Sequence, residues 1–228
     1  MSVRSHIRLP AGEFTYLDEG GGPPLVFLHA LGRNADDWAP TIEALSYRWR
    51  CLALDLRGHG GSVRCERYSF EEMETDVRAF VDALELDRFA LVAHSMGANV
   101  AWLLAAGTPD RIVRLVIEDT APPVPGMTFP EPPAVPPEPV DFDWEAAHQI
   151  VGQLNDPNPE WMDGPARVLA PTLLIDGSSD DMSLNNVLSK LPDGHFIEIT
   201  VGHHIHQTAP TEFNAAVETF LSDTEYTI

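Results

Sequence analysis

The chain has 228 residues, a formal net charge of −21 and only two cysteines. That length buries a core as one domain without metal or disulfide staples, and Cys51 and Cys65 read as free thiols of a reducing compartment. A surface this acidic opposes phosphate backbones, which excludes nucleic acid as an expected partner and disfavours polyanionic substrates.

In chain order, Met1–His6 lacks the apolar stretch of a secretion signal. No later run approaches the roughly 18 apolar residues of a membrane span, so a cytoplasmic protein with no membrane partner is expected. Strand-like runs follow at Arg4–Leu9 and Glu13–Leu17, an antiparallel pair, then at Pro24–His29, Arg50–Asp55, Phe89–Ala93, Val113–Asp119, Thr172–Asp176 and His195–Thr200. Helical patterns fill the gaps at Ala35–Ser46, Phe70–Leu84, Met96–Gly107, Ser183–Leu191 and Pro210–Leu221. The second is the clearest, with Phe70, Met73, Val77, Phe80, Val81 and Leu84 on one face and a Ser69/Glu72 capping box. Strands alternating with helices predict an α/β fold, a mostly parallel central sheet covered by helices on both faces.

Residues 122–165 differ in kind. They hold twelve of the twenty prolines, eight acidic residues and no Lys or Arg, with helical patterning only at Trp144–Leu154. Proline cannot donate to a sheet ladder and stiffens the chain, so this segment is expected as a lid on a core made of residues 1–121 and 166–228. The competing reading is a loop of no functional role.

The chemistry concentrates where Leu91–Val100 breaks at Ala93-His94-Ser95-Met96-Gly97. A serine becomes a nucleophile when a sharp strand-to-helix turn exposes its Oγ beside a base and a free backbone N–H, and the turn demands small flanking residues. Ala93 and Gly97 are such flanks; the bland alternative is a buried serine on an ordinary corner. A base is expected later in the chain, and Val201-Gly202-His203-His204-Ile205-His206 offers it just after the last strand. His203 is the choice and His204 the runner-up. A metal site is the rival use of these histidines, but the cluster has no Cys and its spacing matches no common zinc motif, so neither metal nor cofactor is expected.

An acid must hold the imidazole tautomer of that base. Asp180, on the loop after Thr172–Asp176, and Asp119, at the end of the strand beside the nucleophile, both qualify, with Asp181 behind them. Oxyanion donors are expected from the backbone N–H groups of Leu31 and Met96, with His29 shaping the Leu31 loop. The glycine-rich Asp55–Ser62 stretch lacks the order of a P-loop or dinucleotide motif and reads as a structural turn. Trp38, Phe129, Trp144 and Trp161 are candidate pocket residues, with core packing as their alternative.

Together HALG at 29–32, DLRGHGGS at 55–62, AHSMG at 93–97, GSSD at 177–180 and GHHIHQTAP at 202–210 resemble the α/β-hydrolase superfamily. The resemblance implies Ser95 as nucleophile, His203 as base, and Leu31 and Met96 as oxyanion donors. In most members the acid follows the strand that here ends at Asp176, which points to Asp180. In a subgroup of small esterases it stands in a D-x-A-P context like Asp119-Thr120-Ala121-Pro122. Ala30 and Ala93 stand where the family usually has glycine. A serine in the elbow argues against the epoxide hydrolase and haloalkane dehalogenase branches, whose elbow carries Asp.

The expected function is hydrolysis of a small, uncharged or weakly charged carboxylic ester through an acyl-enzyme, by a monomer or homodimer whose partner is the small-molecule substrate. C–C bond hydrolysis, lactone opening or a lyase step on the same triad is one alternative. A non-catalytic ligand-binding protein on a hydrolase scaffold is the other.

Overall fold

The computed structural model describes residues 3–178 and 182–222. One sheet contains β1 (Val3–Leu9), β2 (Gly12–Glu19), β3 (Pro24–Leu28), β4 (Arg50–Leu54), β5 (Phe89–His94), β6 (Ile112–Glu118), β7 (Thr172–Asp176) and β8 (Gly194–Glu198). Their order is β1-β2-β4-β3-β5-β6-β7-β8. Only the pairings of β2 with β1 and β4 are antiparallel; β4 to β8 run parallel. Every expected strand is present, and β5 and β6 are buried along their whole length, as strands covered on both faces must be.

Alternation along the strands divides the core. Val26, Leu28, Leu52, Leu54, Leu91 and Ala93 face a cluster that includes residues of α2 (Phe70–Ala83) and α3 (Met96–Gly107). Leu25, Phe27, Cys51, Ala53, Ala90 and Val92 face the other side, against α1 (Ala39–Leu45) and the C-terminal helix Pro210–Ser222.

Three local expectations change. The helix drawn over Ala35–Ser46 is a 3-10 turn at Ala35–Trp38 followed by α1, because Pro40 suits a first helical turn and cannot donate within a longer one. Ser69 Oγ accepts the Glu72 N–H at 3.1 Å, but the Glu72 carboxylate turns away to Arg57 Nη1 at 2.8 Å, so only half of the capping box forms. Past α5 (Met182–Leu188), a short α6 (Ile205–Thr208) precedes α7 (Pro210–Ser222).

Residues 122–143 run as irregular chain before α4 (Trp144–Asn155). The Gln149 and Gln153 side-chain oxygens accept the Tyr68 and Phe70 N–H groups at 2.7 and 2.9 Å. Asp143 accepts the Tyr68 hydroxyl at 2.6 Å and donates its own N–H to Gly58 O at 2.7 Å. Phe142 lies flat on His59. The proline-rich segment is therefore tied to the loop between β4 and α2. Among the described residues, no helix is long and apolar enough to cross a membrane.

Candidate active site

Parallel strands carry their functional loops at the C-terminal ends, and β5 ends at the serine. His94 closes β5 and Met96 opens α3, so Ser95 alone makes the corner, at φ +51° and ψ −116°. Such a conformation costs an L-residue about 1–3 kcal/mol and persists only where neighbours impose it. Ser95 N–H donates to Thr120 Oγ1 at 3.0 Å, and the Thr120 hydroxyl donates to Glu118 O at 2.9 Å. Gly97 N–H donates to His29 O at 3.1 Å, and a Cβ on Gly97 would stand 2.5 Å from Leu28 O. The need for a small residue there is steric.

Asp119 leaves β6, the neighbour of β5, at φ +46°. Its Oδ2 lies 2.7 Å from His203 Nδ1, and its Oδ1 accepts the Gly177 N–H at 2.8 Å. Burial opposes the Asp119 charge, but these hydrogen bonds outweigh it and hold the carboxyl below its ordinary range. Asp176 beside it is shifted up, by burial first and with Asp119 adding to it. His203 is exposed, and its ring centre is 4.5 Å from that of His94, the residue before the serine. His204 sits 5.2 Å from His94, and burial lowers its pKa. Of the acid candidates the structure brings Asp119 to His203; Asp180 and Asp181 lie outside the described residues.

On the other side of β5, His29 orders the loop after β3. Its Nε2 accepts the Leu56 N–H at 3.0 Å, its Nδ1 meets Ala30 O at 2.8 Å, and burial lowers its pKa. Arg33 N–H bonds back to Ala30 O and Gly32 N–H to His59 Nε2, both at 3.1 Å, so Leu31 N–H stays out of these loop bonds. Met96 heads α3, where the first N–H groups have no intrahelical acceptor. The Asp55–Ser62 stretch is a structural knot. Asp55 accepts the Ala35 N–H at 2.7 Å and also binds Thr15 and Arg4.

One further group is buried, outside the expected triad. His206 Nδ1 is 2.7 Å from Glu118 Oε2, His206 Nε2 is 3.2 Å from Asp37 Oδ2, and Trp38 stacks on the ring at 4.3 Å. Burial favours the neutral ring, but the two carboxylates prevail and push its pKa up to about 9. Only the H-x-x-H spacing of His203 and His206 hinted at it. The aromatic candidates do not converge. Trp38 is fully buried in the core on one face of the sheet, which corrects its pocket assignment; a ring without solvent access cannot line an open cleft. Trp161 packs on the opposite face, edge-on to Phe70. The Asn155 side-chain amide accepts the Phe129 N–H and donates to Phe129 O, and Trp144 Nε1 donates to Pro133 O at 2.8 Å. A cleft of about 250 Å³ is lined by Ala121, Pro122, Val124, Met162, Asn186 and Lys190 among others.

Residues 23–146 match the family model of the alpha/beta hydrolase fold. A provisionally named carbamate hydrolase, RutD, of Caulobacter segnis is 27% identical over 241 residues, covering 84% of this chain and 88% of that protein. A fluoroacetate dehalogenase of a Burkholderia species is 33% identical over 109 residues, covering 45% of this chain; the match spans about a third of that protein, 36%. Among solved structures, the enol-lactonase of Burkholderia xenovorans superposes with a TM-score of 0.83 at 21% identity, over 96% of this chain and 100% of that one, a likeness of fold. The matched segment includes β3 to β6 and the serine corner, and the chain belongs to the α/β-hydrolase fold family.

Proposed function

We propose that the chain is a serine hydrolase of small carboxylic esters, working through an acyl-enzyme. The observation that carries this reading is the 2.7 Å contact between His203 Nδ1 and Asp119 Oδ2, beside a serine held at φ +51°. With Asp119 accepting at Nδ1, the lone pair of His203 is left on Nε2, the tautomer a general base needs. Ser95 Oγ attacks the carbonyl carbon and its proton passes to His203 Nε2. The negative oxygen is received by the N–H groups of Leu31 and Met96. Collapse of the intermediate breaks the ester bond, and the imidazolium returns the proton to the departing alkoxide. Water, deprotonated by the same histidine, then cleaves the acyl-enzyme to release the acid and free Ser95.

The small cleft beginning at Ala121, two residues past Asp119, supports a compact substrate. Its lining is largely apolar but includes Lys190, whose Nζ donates to Met162 O at 2.7 Å. That suits a neutral or weakly anionic ester. Residues 122–165, pinned at Asp143 and Gln149, serve in this reading as the lid over the cleft. The similarity to RutD over most of both chains favours a second reading in which the carbonyl belongs to a carbamate, with the same triad and an amine or ammonia leaving.

The test is hydrolysis of p-nitrophenyl esters of increasing acyl length and of matched carbamates, by the wild type and Ser95→Ala in parallel. Ester turnover that vanishes in Ser95→Ala supports the first reading; turnover of carbamates alone supports the second. An inactive wild type that also fails to label with a fluorophosphonate overturns both.

A further inference from the structure

Beneath the serine corner lies a second cluster: His94 at the end of β5, Glu118 at the end of β6 and His206 in α6. They are 0%, 0% and 1% exposed. One nitrogen or carboxylate oxygen from each lies within 4.8 Å of the others. His206 is well provided for. Its ring meets both Glu118 oxygens, at 2.7 and 2.9 Å, its main-chain N–H donates to Glu118 Oε1 at 3.0 Å, and Asp37 takes its far nitrogen. His94 is not. Among the described residues neither of its ring nitrogens has a hydrogen-bond partner, although the side chain is wholly buried. Leaving such a buried group unsatisfied is destabilising.

An unpartnered imidazole beside a second imidazole and a carboxylate supplies two nitrogens and an oxygen, a donor set suited to zinc and neighbouring divalent metals. Charge points the same way. Glu118 and Asp37 set two carboxylates on one buried imidazole, and a divalent ion would balance their charge more fully than the single proton on His206 does. We propose that His94, Glu118 and His206 bind a single divalent first-row metal ion, zinc being the best match, and that Asp37 orients His206 from behind. The ion enters where His206 Nδ1 now faces Glu118, the Nδ1 proton leaves to solvent, and His94 gains its missing partner. A carboxylate on the far nitrogen of a ligating histidine is the usual support for such a ligand.

The placement also assigns the ion a role. His94 precedes Ser95, Glu118 precedes Asp119, and His206 lies three residues beyond His203. One ion would cross-link the three segments that carry the nucleophile, the acid and the base. It would act as a brace, with no contact to substrate.

The test begins with the full chain stripped by a chelator and dialysed at mildly alkaline pH. Zinc chloride or cobalt chloride is then added, with uptake followed by elemental analysis and calorimetry, cobalt geometry by visible absorption, and stability by thermal melting. The expected result is one equivalent bound, intense visible bands of low-coordinate cobalt and a raised Tm. His94→Asn, which removes no hydrogen bond seen in the structure, should weaken binding by at least about 100-fold, and Asp37→Asn by about 10–100-fold. Absence of stoichiometric uptake by the wild type overturns the proposal. So does uptake that His94→Asn and Glu118→Gln leave unchanged, since the ion would then sit elsewhere. These readouts do not use ester turnover, so the outcome stands apart from the fate of the hydrolase reading.

Discussion

Thr120 Oγ1 accepts the backbone N–H of Ser95 at 3.0 Å, across the gap between the ends of two neighbouring strands. Asp119, the residue before it, holds His203. Two consecutive residues of β6's C-terminal loop thus grip the proposed nucleophile's backbone and the proposed base's ring. Thr120→Val keeps the shape and removes the acceptor, stranding a half-buried N–H at a strained corner. It should cost about 1–3 kcal/mol of stability and lower kcat more than it raises KM, whereas Thr120→Ser should restore both. Urea midpoints and ester kinetics on the three proteins check this; an unimpaired kcat in Thr120→Val would show that the threonine does not position the serine.

Asp119→Asn replaces the acceptor at His203 Nδ1 with an amide that can present N–H and select the wrong tautomer. By the logic of a Ser–His–Asp triad, kcat should fall by about 10⁴-fold with little change in KM. Asp180→Asn should lose less than about tenfold if Asp119 is the acid. The reverse pattern would move the acid to the loop after β7.

Gly177 presses on the histidine loop. A Cβ there would stand 2.2 Å from Gly202 O, and Gly202 N–H donates to Gly177 O at 2.9 Å. Since backbone cannot rotate aside as a side chain can, Gly177→Ala should cost about 1–3 kcal/mol. It should also displace His203 from Asp119. The paired measurement is Tm with kcat: a variant with lowered Tm and intact kcat would mean that the loop relaxes without moving the histidine.

His59 is expected to contribute to the loss of stability in acid. Burial is the main cause that holds its pKa down to about 3; His29 across from it and Arg64 add to this, while its bond to Arg57 O works the other way. Its Nε2 accepts the Gly32 N–H, and Phe142 covers its face. In the unfolded chain it titrates near 6.5, so below that pH the unfolded state binds a proton the folded state refuses. The contribution of the neutral ring is fully present above about pH 6.5 and is lost as pH falls toward 3. His59→Gln should be less stable at neutral pH yet lose stability less steeply on acidification, as read from urea midpoints between about pH 7 and pH 4. An identical slope in both proteins would place the acid sensitivity elsewhere, with the buried His29 next to be tested.

Much of the fold was legible because buried parallel strands are short apolar runs and their covering helices repeat at three to four residues. Ser95 was legible for a local reason, since small residues around a serine between a strand and a helix describe a corner that five residues determine. The same holds for Gly97, whose need to be small comes from the Leu28 carbonyl pressed against it. The split of Ala35–Ser46 was less visible, although Pro40 marked it.

What only the tertiary structure decided was partnership between distant residues. His203 and Asp119 are 84 positions apart, and His206 and Glu118 are 88 apart. Local pattern could offer Asp119 and Asp180 equally, because both follow strands. In the order β5-β6-β7 the end of β6 lies beside the serine strand and Asp119 reaches His203, whereas Asp180 lies outside the described residues. Likewise, H-H-x-H by itself lacked a carboxylate. Glu118 and Asp37 reach His206 from a strand and a 3-10 turn whose meeting depends on how the sheet is ordered and how its face is covered. Strand and helix periodicity are written along the chain; which strand ends share a site is set by packing across it.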